Sequence, residues 1–582
     1  MGSLDCDIPV HDVLIIGAGL SGVCALHHLR AGFPDWSIKC LERGPSVGGT
    51  WYWNAYPGAR VDTESVSYSF SFDRGVLDEW TWKETFAAQP DILAYIQFVA
   101  RKKDLLRDIQ FNTRVRRAAW QETSGTWQLD DEAGGVYRTR FLVTCIGFLS
   151  SPTRPAIPGL DRFAGASFHT SQWPRDLTSS GGNGGGNNHV AEAFAGKRVG
   201  VIGTGASGIQ TITALAKNVP ALHSLHVFQR TANWSAPLRN APISAAEMAQ
   251  IRRDYDALFA RCATTPGGFL HAPDPRSTAD VTAAEREAVF EALYAQPGFA
   301  KWIGLFRDTY SDRDANALYS RFMADKIRAR VHDAATAERL IPRDHGIGTR
   351  RIPLESGYFE SYNLPHVHLV DLKATPLVEA TPAGLVTADG TAYDLDVLIY
   401  ATGFNAITGA FADIEWRGRD GRPLLGYSSE ENGSVENGNT KEKDKGPSAV
   451  WIDHRPQTFL GTAVPDMPNL LMVMGPHQPF GNAARNIEHS VDLVARILRH
   501  CKDHGLTRVV PTDAAVRDWT AHVAACSEGS LINEIDSWMT GVNKNVRGRT
   551  ERTVARYAGS AVEYRKRCQA CQDAGWAGLE FS

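Results

Sequence analysis

The stretch Asp12-Val-Leu-Ile-Ile-Gly17-Ala-Gly19-Leu-Ser-Gly22 decides the fold. Its short β-branched apolar run has strand character, three glycines follow at G-x-G-x-x-G spacing, and Ala25, Leu26 and Leu29 then recur at helical intervals. Strand, tight turn and helix in that order give each glycine a task. Gly17 permits the turn, Gly19 lets backbone N–H groups approach a pyrophosphate, and Gly22 lets the helix pack on the strand. Arg198-Val-Gly-Val-Ile-Gly203-Thr-Gly205-Ala-Ser-Gly208 repeats the pattern and runs on through Ile209, Ile212 and Leu215. The chain is therefore expected to be α/β, with two Rossmann-like dinucleotide-binding domains.

The residue at the end of the next strand distinguishes the two turns. Ile38-Lys-Cys-Leu41 leads into Glu42, 20 residues past Gly22, where a carboxylate suits the ribose hydroxyls of an adenosine. Leu225-His-Val-Phe228 leads instead into Gln229, Arg230 and Thr231, with Arg230 22 residues past Gly208. A guanidinium and a hydroxyl there favour a 2′-phosphate, hence NADP over NAD. An acid-type and an Arg-type site in one chain are most economically read as FAD at the first and NADPH at the second.

Composition agrees with small-molecule work. The 582 residues are 43% hydrophobic and 22% charged, with a formal net charge of −4 and no run of Lys and Arg to mark nucleic acid or an anionic membrane. Nine scattered cysteines point to a reducing, cytoplasmic setting rather than a disulfide scaffold. Cys568 and Cys571 have redox-motif spacing but no second pair, and read as plain thiols. The stretch Val13 to Leu26 is too short and glycine-interrupted to span a membrane, and Cys6 stands where a myristoylation signal needs Ser or Thr.

Residues 236–339, rich in Ala, Arg, Glu and Leu, read as a helical insertion. The expected organisation is a discontinuous FAD domain of residues 1–155 and 393–582, an NADP domain of 156–235 and 340–392, and that insertion. Ser179–Asn188 and Ser428–Gly446 have loop composition. Phe141-Leu-Val-Thr-Cys-Ile-Gly147 and Asp396-Val-Leu-Ile-Tyr-Ala-Thr-Gly403 are paired strand ends that suggest crossings between domains. Gly44 to Cys145 holds a single cysteine, which excludes a flavin disulfide reductase. Molecular oxygen then becomes the natural oxidant, through a C4a-(hydro)peroxyflavin.

Two further motifs carry a resemblance. Phe163-x-Gly165-x-x-x-His169-x-x-x-Trp173-Pro174 and Gly49-Thr50-Trp51-Tyr52-Trp53-Asn54-Ala55-Tyr56-Pro57-Gly58-Ala59-Arg60-Val61-Asp62 match the fingerprints of the type I Baeyer-Villiger monooxygenases, and the chain resembles that family from about Val13 to its C-terminus. Arg175 and Asn405 depart from the residues usual in the family. The resemblance implies an NADPH- and O2-dependent insertion of oxygen beside a ketone carbonyl, giving an ester or lactone through a peroxyflavin and a Criegee adduct. It assigns catalysis to Arg351, held by Asp62, because a fixed guanidinium keeps the peroxide anionic and stabilises the anionic adduct.

The same resemblance brings Thr50, Trp51, Tyr52, Trp53, Asp62, Tyr68 and Val115 to FAD. It brings Arg60, Thr204, Ala206, Ser207, Gln210, Arg230, Thr231, Arg350 and Trp538 to NADP, with Trp538 in a C-terminal closing loop, Ser537–Asn543. His169 takes a hydrogen-bonding hinge role coupling domain rotation to catalysis. The histidines form no metal-ligand spacing and no metal is expected. Met474–Asn482 is similar to fungal members acting on bulky or biosynthetic ketones. The rivals are a nitrogen- or sulfur-oxidising flavin monooxygenase, which needs a protonated hydroperoxide, and a non-catalytic redox-sensing flavoprotein.

Overall fold

A computed structural model describes residues 8–177, 186–426, 448–543, 545–546 and 549–582. Val10–Ile16 forms the strand its apolar run predicts, and it lies inside a sheet. It runs parallel to Ile38–Leu41 on one side and to Val136–Thr144 on the other, with Val13 opposite Ile38 and Phe141. Val13, Leu14 and Ile15 are fully buried, so both faces of the strand are covered and its hydrophobicity is continuous rather than alternating. Among the described residues the sheet has eight strands. Ile109–Gln110 closes one edge, and the antiparallel strands Val115–Gln121 and Thr126–Asp131 lead to Glu415–Arg417 at the other. Leu470–Met472 pairs with the second half of Val136–Thr144, returning the late chain to this sheet.

The second glycine turn follows Arg198–Ile202, in a parallel sheet of five strands ordered Val367–Asp371, Ser224–Gln229, Arg198–Ile202, Val397–Tyr400 and Ala166–His169. One boundary read from sequence is corrected here. Val397–Tyr400, assigned to the FAD domain, is a strand of the second sheet, because its four apolar residues fill the slot between Val199 and Ala166. The return to the first unit comes after Gly403. Helices 245–264, 283–295, 300–303, 313–328 and 334–340 occupy the span read as helical, two entered through the hydroxyl caps Ser244 and Thr282 and two through the carboxylate caps Asp312 and Asp333, which satisfy first-turn N–H groups. Helix Gly186–Phe194 begins inside the stretch read as the first loop. The rest of that stretch up to residue 185, and the second loop, lie outside the described residues.

The two crossings run side by side. Thr153 N–H donates to Gly403 O at 2.9 Å, Asn405 N–H donates to Ser151 O at 2.8 Å, and Pro152 bridges Phe404. The units are thus joined by a paired two-segment connection.

Candidate active site

The first and third glycines of each turn leave no room for a side chain. A Cβ on Gly17 would stand 2.6 Å from Cys145 O and one on Gly203 2.5 Å from Ala401 O, so each turn presses on the end of the neighbouring strand. A Cβ on Gly22 would meet Gly17 O at 1.8 Å, and one on Gly208 would meet Gly203 O at 2.3 Å, the close helix–strand approach expected of the third glycine. Gly205 differs, with open space where its Cβ would be. Helices Leu20–Gly32 and Ala206–Asn218 both start at a glycine with no side-chain cap, leaving N–H groups and the positive helix end for a ligand anion.

Around the first turn, Glu42 is buried and accepts from the N–H groups of Ala18 and Gly44, each at 2.7 Å. Burial raises its carboxyl pKa against those two bonds, and its remaining lone pairs can take ribose hydroxyls. Thr50 to Trp53 form one short helix. Trp51 Nε1 donates to Tyr68 OH at 3.1 Å, Arg43 stacks over Trp53 with its guanidinium 5.0 Å from the ring centre, and Val115 is buried at the start of its strand. These residues fit a flavin adenine dinucleotide.

At the second turn Thr204 Oγ1 donates to Thr231 O at 3.1 Å, seating Thr231 and Arg230 against it. Ser207 Oγ receives a 3.4 Å hydrogen bond from Thr170 in the fingerprint segment. Among the described residues Arg350 Nε is buried without a partner. Burial lowers the Arg350 guanidinium from its ordinary value, Asp344 opposes the shift, and neighbouring Arg230 adds to it. Two neighbouring cations, one with an unused donor, fit a phosphate.

Arg351 and Asp62 stand 289 residues apart and meet at 2.7 Å through Arg351 Nη2 and Asp62 Oδ2. The Asp62 side chain is 3% exposed and that of Arg351 32%, so the pair has one dry end and one open end. Among the described residues Arg351 Nη1 is buried with no hydrogen-bond partner, which is the condition of a donor waiting for a ligand. Burial raises the Asp62 carboxyl, and Arg351 works against that shift.

Two residues expected at NADP are held by protein groups. Arg60 donates to Glu84 at 3.2 Å and to Phe86 O at 2.9 Å, while Gln210 Nε2 donates to Arg60 O at 3.2 Å. Gln210 Oε1 accepts from Tyr56 OH at 2.8 Å, so Arg60 and Gln210 dock the aromatic fingerprint on the second unit's helix. Tyr56 was missed as a site residue, although it sits within the quoted fingerprint. Arg175 was noted as a departure without a role. It lies 3.7 Å over the Tyr52 ring and donates to Tyr52 O at 3.0 Å, again joining the units.

The fingerprint is built around His169, which is buried and accepts from Ser171 N–H at Nδ1, 3.1 Å away. Nε2 therefore carries the proton and donates to Gly403 O at 3.0 Å, in the crossing segment itself. Burial lowers its pKa to about 4. Phe163 and Trp173 are buried, Trp173 packing edge-on against Phe168 at 4.8 Å, and a Cβ on Gly165 would meet Phe163 and Asp396 O; Pro174 follows directly. Trp538 opens a short turn and lines up with Phe148 at 6.5 Å, which stacks on Phe480 at 4.6 Å. Cys568 and Cys571 are pushed up to about 12 and about 11 by burial, which is wrong for a redox pair. Among the described residues no cluster of His, Cys, Asp or Glu could hold a metal ion.

A family model described as flavin-binding monooxygenase-like matches residues 10–236. The chain is 38% identical over 99% of both chains to 2-oxo-Δ3-4,5,5-trimethylcyclopentenylacetyl-CoA monooxygenase of Pseudomonas putida. It is 33% identical to a Baeyer-Villiger monooxygenase of Pseudooceanicola batsensis, covering 98% of this chain and 96% of that one. The chain belongs to the Baeyer-Villiger monooxygenase family. The family is not uniform in its relatives, since phenazine N-monooxygenase PhzNO1 of Lysobacter antibioticus is 34% identical over 99% of this chain and 98% of its own length. The crystal structure of OTEMO in complex with FAD and NADP superposes with a TM-score of 0.87 at 38% identity, covering 99% of this chain and 100% of that one. The α/β architecture with two Rossmann-like units is thus a Baeyer-Villiger monooxygenase fold.

Proposed function

We propose that this family member is an NADPH- and O2-dependent monooxygenase that converts a ketone to an ester or lactone. The Arg351–Asp62 pair, buried at its carboxylate and open at its guanidinium, carries the reading. Bound at the first turn, FAD would supply hydride acceptance from NADPH and the activation of O2. Residues 1–155 together with the chain after Gly403 would hold it, and the second sheet would hold NADP at Gly203–Gly208, Arg230, Thr231 and Arg350.

The protein's own part is electrostatic. Arg351 is permanently cationic and would stabilise negative charge developing on oxygen as the carbonyl is attacked. Asp62 orients it, and the Asp62 carboxylate keeps the pair neutral overall before charge develops. His169, neutral and bonded to the crossing at Gly403, would hold the two units in register. Among the described residues no helix is long and apolar enough to cross a membrane. The eight described cysteines are all free, which supports a cytoplasmic setting.

The test is NADPH oxidation by FAD-loaded protein with ketones, sulfides and heteroaromatic amines, products identified by mass, and Arg351→Ala alongside. An ester or lactone that disappears in Arg351→Ala, while NADPH still reduces the flavin, is the expected result. N-oxides alone would favour the second reading, to which the phenazine N-monooxygenase relative lends weight.

A further inference from the structure

Arg556 lies in a segment that borders the candidate site. Val473 N–H donates to Thr144 O at 3.0 Å, so the loop that follows leaves the first sheet at the same strand end as Cys145–Gly147. Open α/β sheets bind ligands outside those carboxyl ends. This loop pairs with residues 554–557: His477 N–H donates to Ala555 O at 3.0 Å, Tyr557 N–H donates to Gln478 O at 3.2 Å, and Pro479 bridges Tyr557. Ala555 is buried in a cluster with Phe480 and Trp538, the aromatic wall described above. Arg556 follows it.

Among the described residues the Arg556 guanidinium has no hydrogen bond and no carboxylate partner. It is half-buried, and desolvation lowers it from its ordinary value with no charged neighbour to offset the shift. A guanidinium does not shed its proton in a protein, so a positive charge stands here with no carboxylate beside it among the described residues. Other cations at the site have tasks or partners: Arg351 has Asp62, and Arg230 and Arg350 are electrostatic neighbours at the second turn. The two pyrophosphate positions already have helix N-termini.

We propose that Arg556 anchors an anionic group on the substrate, a carboxylate, so that this protein acts on keto acids in preference to neutral ketones. The word ketone rests on the proposed function; the anion anchor does not. The relative from Pseudomonas putida is named for an acyl-CoA, itself an anionic compound.

The test uses holoenzyme carrying FAD and NADP, a cycloalkanone with an acetic acid side chain, and the methyl ester of the same compound. Binding is followed by calorimetry and turnover by product mass. The wild type is expected to bind the acid at least about tenfold more tightly than the ester, as a charge-assisted bond allows. Arg556→Gln should lose that preference with ester binding unchanged, and Arg556→Lys should keep part of it. Equal binding of acid and ester by the wild type would overturn the proposal, and that comparison needs no variant to fold. So would loss of FAD or a raised KM for NADPH in Arg556→Gln, which would place the guanidinium on a cofactor. A wild type that binds the acid selectively yet makes no ester or lactone would uphold the anchor and remove the oxygenation reading.

Discussion

Arg351 and Asp62 show how a single contact sets the expectations at residue scale. Truncating Arg351 leaves a carboxylate that is almost wholly buried, so Arg351→Ala should lower ester formation by about 10²- to 10³-fold, the range for losing an oxyanion donor, while rapid-mixing absorbance still shows flavin reduction. Burial raises the Asp62 carboxyl against the opposing pull of Arg351, so the stability its folded-state proton contributes is lost as pH rises through the raised value. The acid limb of flavin reduction should therefore lie above the ordinary carboxylate range. In Asp62→Asn that limb should vanish from the pH profile. At the second turn, Arg230→Ala should raise KM for NADPH by at least about tenfold and leave NADH almost unaffected, which steady-state kinetics with both nucleotides would show.

Within the glycine turns, position rather than residue type decides what a substitution does. A Cβ at Gly208 would stand 2.3 Å from Gly203 O, whereas at Gly205 it would meet open space. Gly208→Ala should push the helix off its strand and lower the melting temperature. Gly205→Ala should leave melting and FAD content unchanged and act on NADPH, raising its KM by crowding the pyrophosphate approach. Equal effects of the two variants on melting would contradict this division. The same elements explain the sequence reading that failed. Val397–Tyr400 is as apolar as any central strand, and its period cannot say which sheet it joins; only its register against Val199 and Ala166 does.

For the molecule as a whole, the buried histidines tie stability to pH. His169, His454 and His477 are lowered to about 4 and His489 to about 3, each chiefly by burial. The unfolded chain binds their protons from about pH 6.5 downward while the folded one resists, so stability should fall as pH drops from about 6.5 toward 4. The fully enclosed His169 alone accounts for about 3 kcal/mol of that loss. Denaturant melts across this range should show the decline, and His169→Gln should make it shallower.

The amino-acid sequence by itself determined the two strand–turn–helix units, the acid and the arginine at the ends of the strands that follow them, and the aromatic and Trp-Pro fingerprints. Those are local patterns, and glycine spacing and hydrophobic period express them directly. Tertiary structure alone decided which distant groups meet: Arg351 with Asp62, Tyr56 with Gln210, Arg175 with Tyr52, and His169 with the crossing at Gly403. Among the described residues it also left Arg556, next in the chain to the buried Ala555, with no carboxylate partner. A charge's partner depends on chain segments brought together by packing, and a linear sequence does not encode that distance in any short-range pattern.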